Sequence, residues 1–204
     1  MKNKILQTAS QLFLSLGFKS VTMDDIAEKM AISKKTIYES FQSKTALVKA
    51  STHFIFEQIS RKIDSICCKD CDVNPIHTLF HINDFLLIQL KVNNAPEFQL
   101  YKYYPSIAAS LTEKKFKLIT EGITENLENG IEKGLYRKDI NIAIIARLYY
   151  STMNAIKTTD IFPIDTYKMS EVMHIFLLYH IRAIATEKGL QELESYLKEQ
   201  NKIA

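Results

Sequence analysis

The sequence predicts an all-α fold of nine or ten helices, and three observations support this. Only five glycines and four prolines occur among 204 residues, far below the usual combined share of roughly 12%. Apolar residues recur at helical spacing along most of the chain. No segment between turn signals alternates apolar and polar residues in the way a half-buried strand does.

The composition is that of a globular protein. Hydrophobic residues make up 47% and charged residues 24%, which excludes a disordered, collagen-like or disulfide-scaffold chain. Three cysteines, an odd number, fit free thiols in a reducing compartment. The chain shows neither a signal-peptide pattern nor an apolar run of about 18–20 residues. We therefore predict a cytoplasmic protein with no membrane partner.

Four helices are predicted in the first third of the chain. The first ends at Gly17, and the second begins at a capping pattern formed by Thr22 and Asp25. Ser33 begins a very short third helix, and Ser43 caps a fourth helix that runs to about residue 66. Their predicted buried faces contain Ile5, Ala9, Leu12, Phe13, Leu16, Ile26, Ala27, Met30, Ile37, Phe41, Leu47, Ala50 and Phe54.

Turn and breaker residues delimit the remaining helices. Pro75, Pro105 and Asp139 mark starts, whereas Gly134 and Gly189 mark ends. The predicted segments are a polar linker at 67–73, a helix at about 74–92, a short aromatic segment at 96–104, and helices at about 105–133, 139–158, 166–188 and 190–200.

Residues 22–41 form a short helix, a tight turn and a second short helix, which is the arrangement of a helix-turn-helix. The second helix of such a pair lies in the DNA major groove. Its polar face would be exposed, since Ile37 and Phe41 point inward. Residues 1–50 also have a net charge of +4 and the rest −1, which favours a nucleic-acid partner. Taken by itself, the charge also fits chance asymmetry on a solvated surface.

The same region resembles the TetR family of bacterial regulators. The resemblance is carried by Gly17-Phe18, Val21-Thr22-Met23-Asp24-Asp25-Ile26-Ala27, Ile32-Ser33-Lys34-Lys35-Thr36-Ile37-Tyr38, Phe41-Gln42-Ser43-Lys44 and Ala46-Leu47. These residues are continuous along the first fifty positions and have the spacing of the family. The resemblance implies a three-helix DNA-binding domain, at 1–46, and a helical domain for effector binding and dimerisation, at 47–204.

The resemblance also implies roles at double-stranded DNA. Thr22 would cap the second helix and touch a phosphate, and Lys44 would hold another phosphate. Tyr38 would lean on the DNA backbone or a thymine methyl group, with packing beneath the recognition helix as the alternative. The predicted DNA-binding residues are Thr22, Lys34, Lys35, Thr36, Tyr38, Glu39 and Lys44.

Three residues depart from the family pattern. Ala31 stands where the turn of the family usually has glycine, and alanine tolerates a positive φ poorly, so we expect a slightly reshaped turn. Lys35 stands where members often have a small residue, and Ser40 where many have an aromatic residue or histidine. These departures bear on individual DNA contacts and leave the predicted fold unchanged.

Two helices, at about 140–156 and 169–184, are apolar on nearly every face. A helix of this kind is buried on all sides, so we predict that one face packs on its own chain and the other on a second copy. A deep monomeric core is the alternative. The predicted homodimer interface contains Ile145, Leu148, Tyr149, Met153, Val172, Phe176, Tyr179 and Ile184.

Aromatic residues are frequent in the middle of the chain, with polar side chains beside them. They predict a pocket for a small hydrophobic or aromatic effector, although ordinary core packing explains each residue equally simply. The predicted pocket residues are His77, His81, Phe85, Gln89, Phe98, Tyr101, Tyr104 and Phe116.

Cys67, Cys68 and Cys71 lie between the two predicted domains. Cys68 and Cys71, followed by His77 and His81, are residue types that bind zinc. The intervening run is shorter than in a usual zinc finger, so free thiols in a linker are the simpler interpretation. We predict no metal and no cofactor, and keep a thiol- or metal-responsive regulator as an alternative.

The sequence therefore predicts a dimeric, sequence-specific DNA-binding regulator, most simply a repressor that its effector releases from DNA. A DNA-bound adapter whose C-terminal domain binds a partner protein is the second hypothesis. An enzyme is not predicted, because the chain has no glycine-rich phosphate loop, no Gly-x-Ser-x-Gly and no His-Glu-x-x-His.

Overall fold

The computed structural model describes residues 1–67, 73–90, 95–158, 161–163 and 165–203. Within these residues it contains ten α-helices and no β-strand, which confirms the all-α prediction. The helices are α1 (Lys2–Leu16), α2 (Met23–Met30), α3 (Lys34–Ser40), α4 (Lys44–Cys67), α5 (Pro75–Leu90), α6 (Ala95–Tyr103), α7 (Pro105–Glu132), α8 (Ile142–Thr158), α9 (Met169–Ile184) and α10 (Glu187–Ile203). No helix in these ranges is long and apolar enough to cross a bilayer.

The chain divides into two compact units. The first combines Met1–Lys62 with Asn93–Lys115, and the second combines Ile63–Val92 with Phe116–Ala204. The whole of the predicted DNA-binding domain, 1–46, lies in the first unit. The two units are each made of two separate segments, whereas a single domain boundary was predicted after residue 46. That boundary remains a prediction.

The first unit has its own hydrophobic core. Ile5, Phe13, Ile26 and Leu47 are fully buried in it, and they come from three different helices of the sequence. Phe13 stacks on Phe18 with ring centroids 5.2 Å apart. Leu100, Ile107 and Ala108 belong to the same core, so α6 and the start of α7 help to support the N-terminal helices.

Local capping explains where the N-terminal helices begin. Thr22 Oγ1 accepts a hydrogen bond from the Asp25 backbone N–H at 3.2 Å, and Asp25 Oδ2 accepts one from the Thr22 N–H at 2.7 Å. This reciprocal pair is the predicted capping box. Ser33 accepts from the Thr36 N–H and Ser43 from the Ala46 N–H, each at 3.1 Å. Both predicted caps are therefore confirmed.

The second unit has a separate core, built mainly from α5, the second half of α7, α8, α9 and α10. Ile76, Leu127, Leu177 and Ile181 are among its fully buried residues. Tyr149 of α8 packs against Phe176 and His180 of α9, with ring centroids 5.1 and 4.9 Å apart. One face of each of these two helices is thus buried by the chain itself.

Two predicted boundaries in this unit are wrong. The cap of α8 is Asn141, whose Oδ1 accepts from the Ile144 N–H at 3.1 Å, and not Asp139. The helix predicted at 166–188 ends at Ile184, because the backbone pairs there with the segment after α7. The Arg137 N–H donates to the Ile184 carbonyl at 2.8 Å, and the Thr186 N–H donates to the Leu135 carbonyl at 2.9 Å.

Gly189 does not end a helix but lies in the first turn of α10. Its N–H donates to Thr186 Oγ1 at 3.1 Å, so Thr186 caps α10. A Cβ at this position would collide with the Leu135 carbonyl oxygen. The glycine is therefore explained by the close approach of a neighbouring backbone.

In the first unit, the segment at 96–104, which was predicted only as aromatic, is helical and forms α6.

Candidate nucleic-acid interface

The helix α3 is anchored by one side and exposed on the other. Ile37 is completely buried against the first core, so its orientation fixes the rotation of the helix. Lys34, Lys35 and Glu39 are exposed, and Tyr38 is 43% exposed. Thr36 is half-buried, with its hydroxyl 2.8 Å from the Ser33 hydroxyl. Four of the predicted DNA-binding residues, Lys34, Lys35, Tyr38 and Glu39, therefore lie on the outward side of α3.

The turn between α2 and α3 closes with alanine in a glycine-like conformation. Ala31 has φ 52° and ψ 43°, which is the left-handed region. Its N–H donates to the Glu28 carbonyl, and the Ile32 N–H donates to the Ala27 carbonyl, both at 3.0 Å. Alanine thus adopts the backbone geometry that glycine would adopt at lower cost. The turn stores a small amount of strain directly beside the recognition helix.

Lys34 is held by an ion pair. Its Nζ lies 2.8 Å from Asp24 Oδ2, in the first turn of α2, and this hydrogen bond raises the pKa of Lys34. The side chain is therefore charged but partnered. To bind a DNA phosphate it must leave Asp24 or share its ammonium group with both acceptors.

Lys44, which was predicted to hold a DNA phosphate, also makes a contact within the protein. Its Nζ donates to the Lys19 carbonyl at 2.8 Å, which ties the start of α4 to the loop between α1 and α2. Burial lowers the pKa of Lys44, and the charge of Asp25 acts in the opposite direction. An ammonium group has three donors, so this contact leaves donors for a phosphate.

A cluster that the sequence did not predict lies next to this loop. The Lys19 N–H donates to Gln99 Oε1 at 2.8 Å, and Lys19 Nζ lies 4.2 Å from the ring centre of Tyr103. The pKa of Tyr103 is lowered, chiefly by its hydrogen bond with Lys19. A Cβ at Gly17 would collide with the Gln99 side chain. The Lys19–Gln99 contact spans 80 positions of sequence, so no local pattern could have indicated it.

The predicted dimer residues occupy different environments in the second unit. Tyr149, Met153, Val172, Phe176 and Ile184 are buried by their own chain, and Ile145 is half-buried. Leu148 is 56% and Tyr179 is 75% exposed. Two residues outside the predicted set, Ile144 and Ile175, are also more than half exposed. Each helix therefore has an exposed apolar face, on which the exposed residues are spaced four apart.

The predicted effector residues divide between the two units. Phe98, Tyr101 and Tyr104 lie in the first, whereas His77, His81, Phe85 and Phe116 lie in the second. The side chain of Gln89 lies outside the described residues. This set therefore does not form one pocket within either unit.

Several of these side chains already have partners. Tyr101 shares a hydrogen bond of 2.9 Å with Thr112, and the rings of His77 and Tyr196 have centroids 4.5 Å apart. Phe116 meets the ring of Tyr150 edge-on at 5.0 Å. Burial raises the pKa of Tyr104. Each of these three pairs lies within one unit.

The cysteine hypothesis concerns residues that the structure does not cover. Cys67 is a half-buried cysteine at the end of α4, whereas Cys68 and Cys71 lie outside the described residues. Among the residues that are described, no group of three or more His, Cys, Asp and Glu side chains could hold a metal ion.

Comparison with known proteins places this geometry in a family. Residues 5–51 match the family model described as bacterial regulatory proteins, tetR family, and they include α2, the Ala31 turn and α3. The matched segment is the DNA-binding domain of the TetR family. The chain is a helix-turn-helix transcriptional regulator of this kind and not an enzyme.

Curated relatives support this assignment. It is 29% identical over 154 residues to the HTH-type transcriptional regulator UidR of Escherichia coli K12, covering 72% of this chain and 74% of UidR. It is 35% identical over 63 residues to IcaR of Staphylococcus aureus, named as a negative transcriptional regulator of the biofilm operon icaADBC, covering 31% of this chain and 34% of IcaR.

Solved structures show the same fold at low identity. The reduced form of E. coli NemR matches with a TM-score of 0.70 at 17% identity, covering 91% of this chain and 97% of NemR. A transcriptional regulator from Cytophaga hutchinsonii gives 0.75 at 17%, with 90% and 98% coverage. A Saccharomonospora viridis protein in complex with choline gives 0.74 at 17%, with 91% and 98% coverage.

Proposed function

We propose that the chain is a dimeric, sequence-specific DNA-binding repressor that a small hydrophobic or aromatic effector releases from DNA. The observation that carries the DNA-binding part is the outward face of α3. It presents Lys34, Lys35, Tyr38 and Glu39 to solvent, while Ile37 holds the helix in the core. Lysines on such a face contact base edges and phosphates in the major groove.

Thr22 and Lys44 extend this surface to the DNA backbone. Thr22 lies at the N-terminus of α2, where free N–H groups favour a phosphate. Lys44 lies at the start of α4, next to the loop that carries Lys19. We infer that these two residues set the position of α3 on the duplex, since phosphate contacts fix register and orientation.

The homodimer is supported by the apolar outer faces of α8 and α9. Ile144, Leu148, Ile175 and Tyr179 are between 55% and 75% exposed, which is costly for side chains of this size if they stay in water. Two copies of this helix pair would bury them in a four-helix, two-fold interface. A partner subunit would contact these four residues. It would not contact the predicted interface residues that the chain already buries.

A two-fold dimer would present two copies of α3 to one duplex. Recognition helices roughly 34 Å apart match one turn of DNA. The operator would therefore be a pseudo-palindrome, and both half-sites would have to be engaged together for tight binding. An effector that favours another spacing of the helices would release the DNA.

The names of relatives support the remaining parts of the proposal. IcaR is named as a negative regulator, and the Saccharomonospora viridis protein is in complex with choline. We extend to this chain the repressor role of the first and the small-molecule binding of the second.

The test of DNA recognition is selection of genomic DNA fragments by the purified chain at fixed, near-physiological salt. Salt must be fixed because phosphate contacts weaken steeply with its concentration. We expect one enriched pseudo-palindrome. Lys35→Ala should lower affinity for that fragment about tenfold, whereas Lys117→Ala, which removes an exposed lysine from the second unit, should not. Sequence-blind binding that both variants weaken equally would contradict the proposal.

The test of the dimer is sedimentation of Leu148→Glu/Tyr179→Glu. Two carboxylates on the outer faces of α8 and α9 would be buried unpaired in the proposed interface, so we expect a monomer that no longer retains the selected fragment. Ile88→Glu is the matched control, because Ile88 is 70% exposed on α5. A double variant that still sediments as a dimer would show that copies associate elsewhere.

A further inference from the structure

A cleft in the first unit lies between the first half of α4 and the start of α7. It has a volume of about 550 Å³, within the range of small-molecule pockets. None of the residues predicted for the effector lines it. It lies entirely within Met1–Lys62 and Asn93–Lys115.

Residues at helical spacing give the cleft an apolar floor. Ala46 and Ala50 on α4 face Ile107 and Leu111 on α7, and Phe56 lies further along α4. Ile107 is buried, and Ala50, Leu111 and Phe56 are half-buried. Small side chains on α4 leave open the space that larger ones would fill. An aliphatic or aromatic body would bury this surface on entering.

The wall of the cleft is cationic. Lys49 and His53 are spaced four residues apart on α4, and Lys114 lines the cleft from α7. Lys114 Nζ lies 2.8 Å from His53 Nδ1, so its recorded acceptor is an imidazole nitrogen and not a carboxylate. His53 Nε2 in turn lies 3.1 Å from Glu57. Among the described residues that line the cleft, none is acidic.

Hydroxyl groups complete the rim. Ser106 and Ser110 are exposed, one turn apart on α7, and continue the line that leads to Lys114. A cleft with an apolar floor, two lysines and neighbouring hydroxyls matches one ligand chemistry. An anion can receive charge-assisted hydrogen bonds from the lysines, while its apolar part covers the floor.

We propose that the cleft between α4 and α7 binds an anionic amphiphile, with the acidic head at Lys49 and Lys114 and the apolar body on Ile107 and Leu111. A carboxylate on an aliphatic chain is the simplest member of this class. The proposal concerns binding and stands whether or not the ligand alters the affinity for DNA.

The test is calorimetric titration of the full-length protein, without DNA, with decanoate below its micellar concentration. Decyltrimethylammonium is the matched probe, because it has the same chain and the opposite charge. We expect decanoate to bind at one site per chain and decyltrimethylammonium to bind at least about tenfold more weakly, since a charged hydrogen bond is lost and repulsion replaces it.

Two variants locate the site. Lys49→Gln/Lys114→Gln should weaken decanoate binding about tenfold, whereas Lys117→Gln on the same helix should leave it unchanged. Ser110→Leu should fill the cleft and abolish binding without removing a charge. Lys49→Gln alone serves if the double variant unfolds, because Lys49 is exposed.

Three results would overturn the proposal. The first is no decanoate binding by the unmodified chain, and the second is equal binding of the two probes. The third is decanoate binding that survives both the lysine and the Ser110 substitutions, since the ligand would then occupy another surface. Because no DNA is present, each result is independent of operator recognition.

Discussion

The stability of the second unit should fall between about pH 7 and pH 5 because His180 is buried as a neutral imidazole. His180 is 8% exposed on α9, between the rings of Tyr149 and Phe176. Its Nε2 is buried and has no hydrogen-bond partner among the described residues. Burial disfavours the charged form and lowers the pKa of His180 to about 4.

The size of the effect follows from proton linkage. The unfolded chain, with a histidine pKa of about 6.5, takes up the proton more readily than the folded chain does. Stability is therefore fully present above pH 6.5 and is lost as the pH falls towards 4. The expected loss for this one group is about 2 kcal/mol between pH 7 and pH 5.

Urea unfolding followed by circular dichroism at the two pH values measures the loss, and His180→Phe isolates it. A phenyl ring occupies nearly the same space between Tyr149 and Phe176 but cannot be protonated, so its pH dependence should be smaller by about 2 kcal/mol. His174→Phe is the control, since His174 is exposed on the same helix. If unmodified chain and His180→Phe lose stability equally, His180 is not the neutral buried group described here.

Two further predictions concern the helix-turn-helix. Ala31→Gly should raise the free energy of unfolding of the first unit by about 1 kcal/mol, because glycine adopts φ 52° without the steric cost that alanine bears. Thermal unfolding measures this, with Ala27→Gly, which removes a buried methyl group inside α2, as the control. Destabilisation by Ala31→Gly would contradict the prediction. Asp24→Asn should tighten DNA binding about threefold at low salt by freeing Lys34 and removing a negative charge. Fluorescence anisotropy with the selected fragment measures this, and a gain that persists in Asp24→Asn/Lys34→Ala would show that Lys34 does not carry it.

The helix starts were predictable from sequence where a cap and its target lie within three residues. Thr22, Ser33 and Ser43 each accept from the N–H three residues ahead, so the decisive contact is visible in the local pattern. Asp139 and Asn141 compete within one turn, and both are good caps. The choice of Asn141 depends on the tertiary path of the chain before α8, which periodicity does not reveal.

The face of α3 was also predictable, but its electrostatic state was not. Ile37 fixes the outward side through its spacing with other apolar residues. The pairing of Lys34 with Asp24 and of Lys44 with the Lys19 carbonyl depends on how neighbouring elements meet. A sequence gives the charge of each lysine, whereas the partner of that charge is a property of the folded surface.

Apolar character alone did not separate the inner from the outer face of α8 and α9. Both helices are apolar on nearly every side, so the sequence alone predicts an interface position equally well for Tyr149 and for Leu148. The structure buries Tyr149 and leaves Leu148 exposed. The contrast arises from the ring contacts of Tyr149 with Phe176 and His180, which select the inner face once the two helices are in place.

The cleft between α4 and α7 shows why aromatic residues in a sequence are a poor guide to the position of a pocket. Large rings fill gaps between helices, and Phe116 meets Tyr150 in this way. A cleft persists where facing side chains are too small to close it, and Ala46, Ala50 and Ser110 line this one. The sequence signal is therefore small residues four apart on one helix beside long cationic ones. That pattern also describes closely packed helices, and only the structure decides between the two.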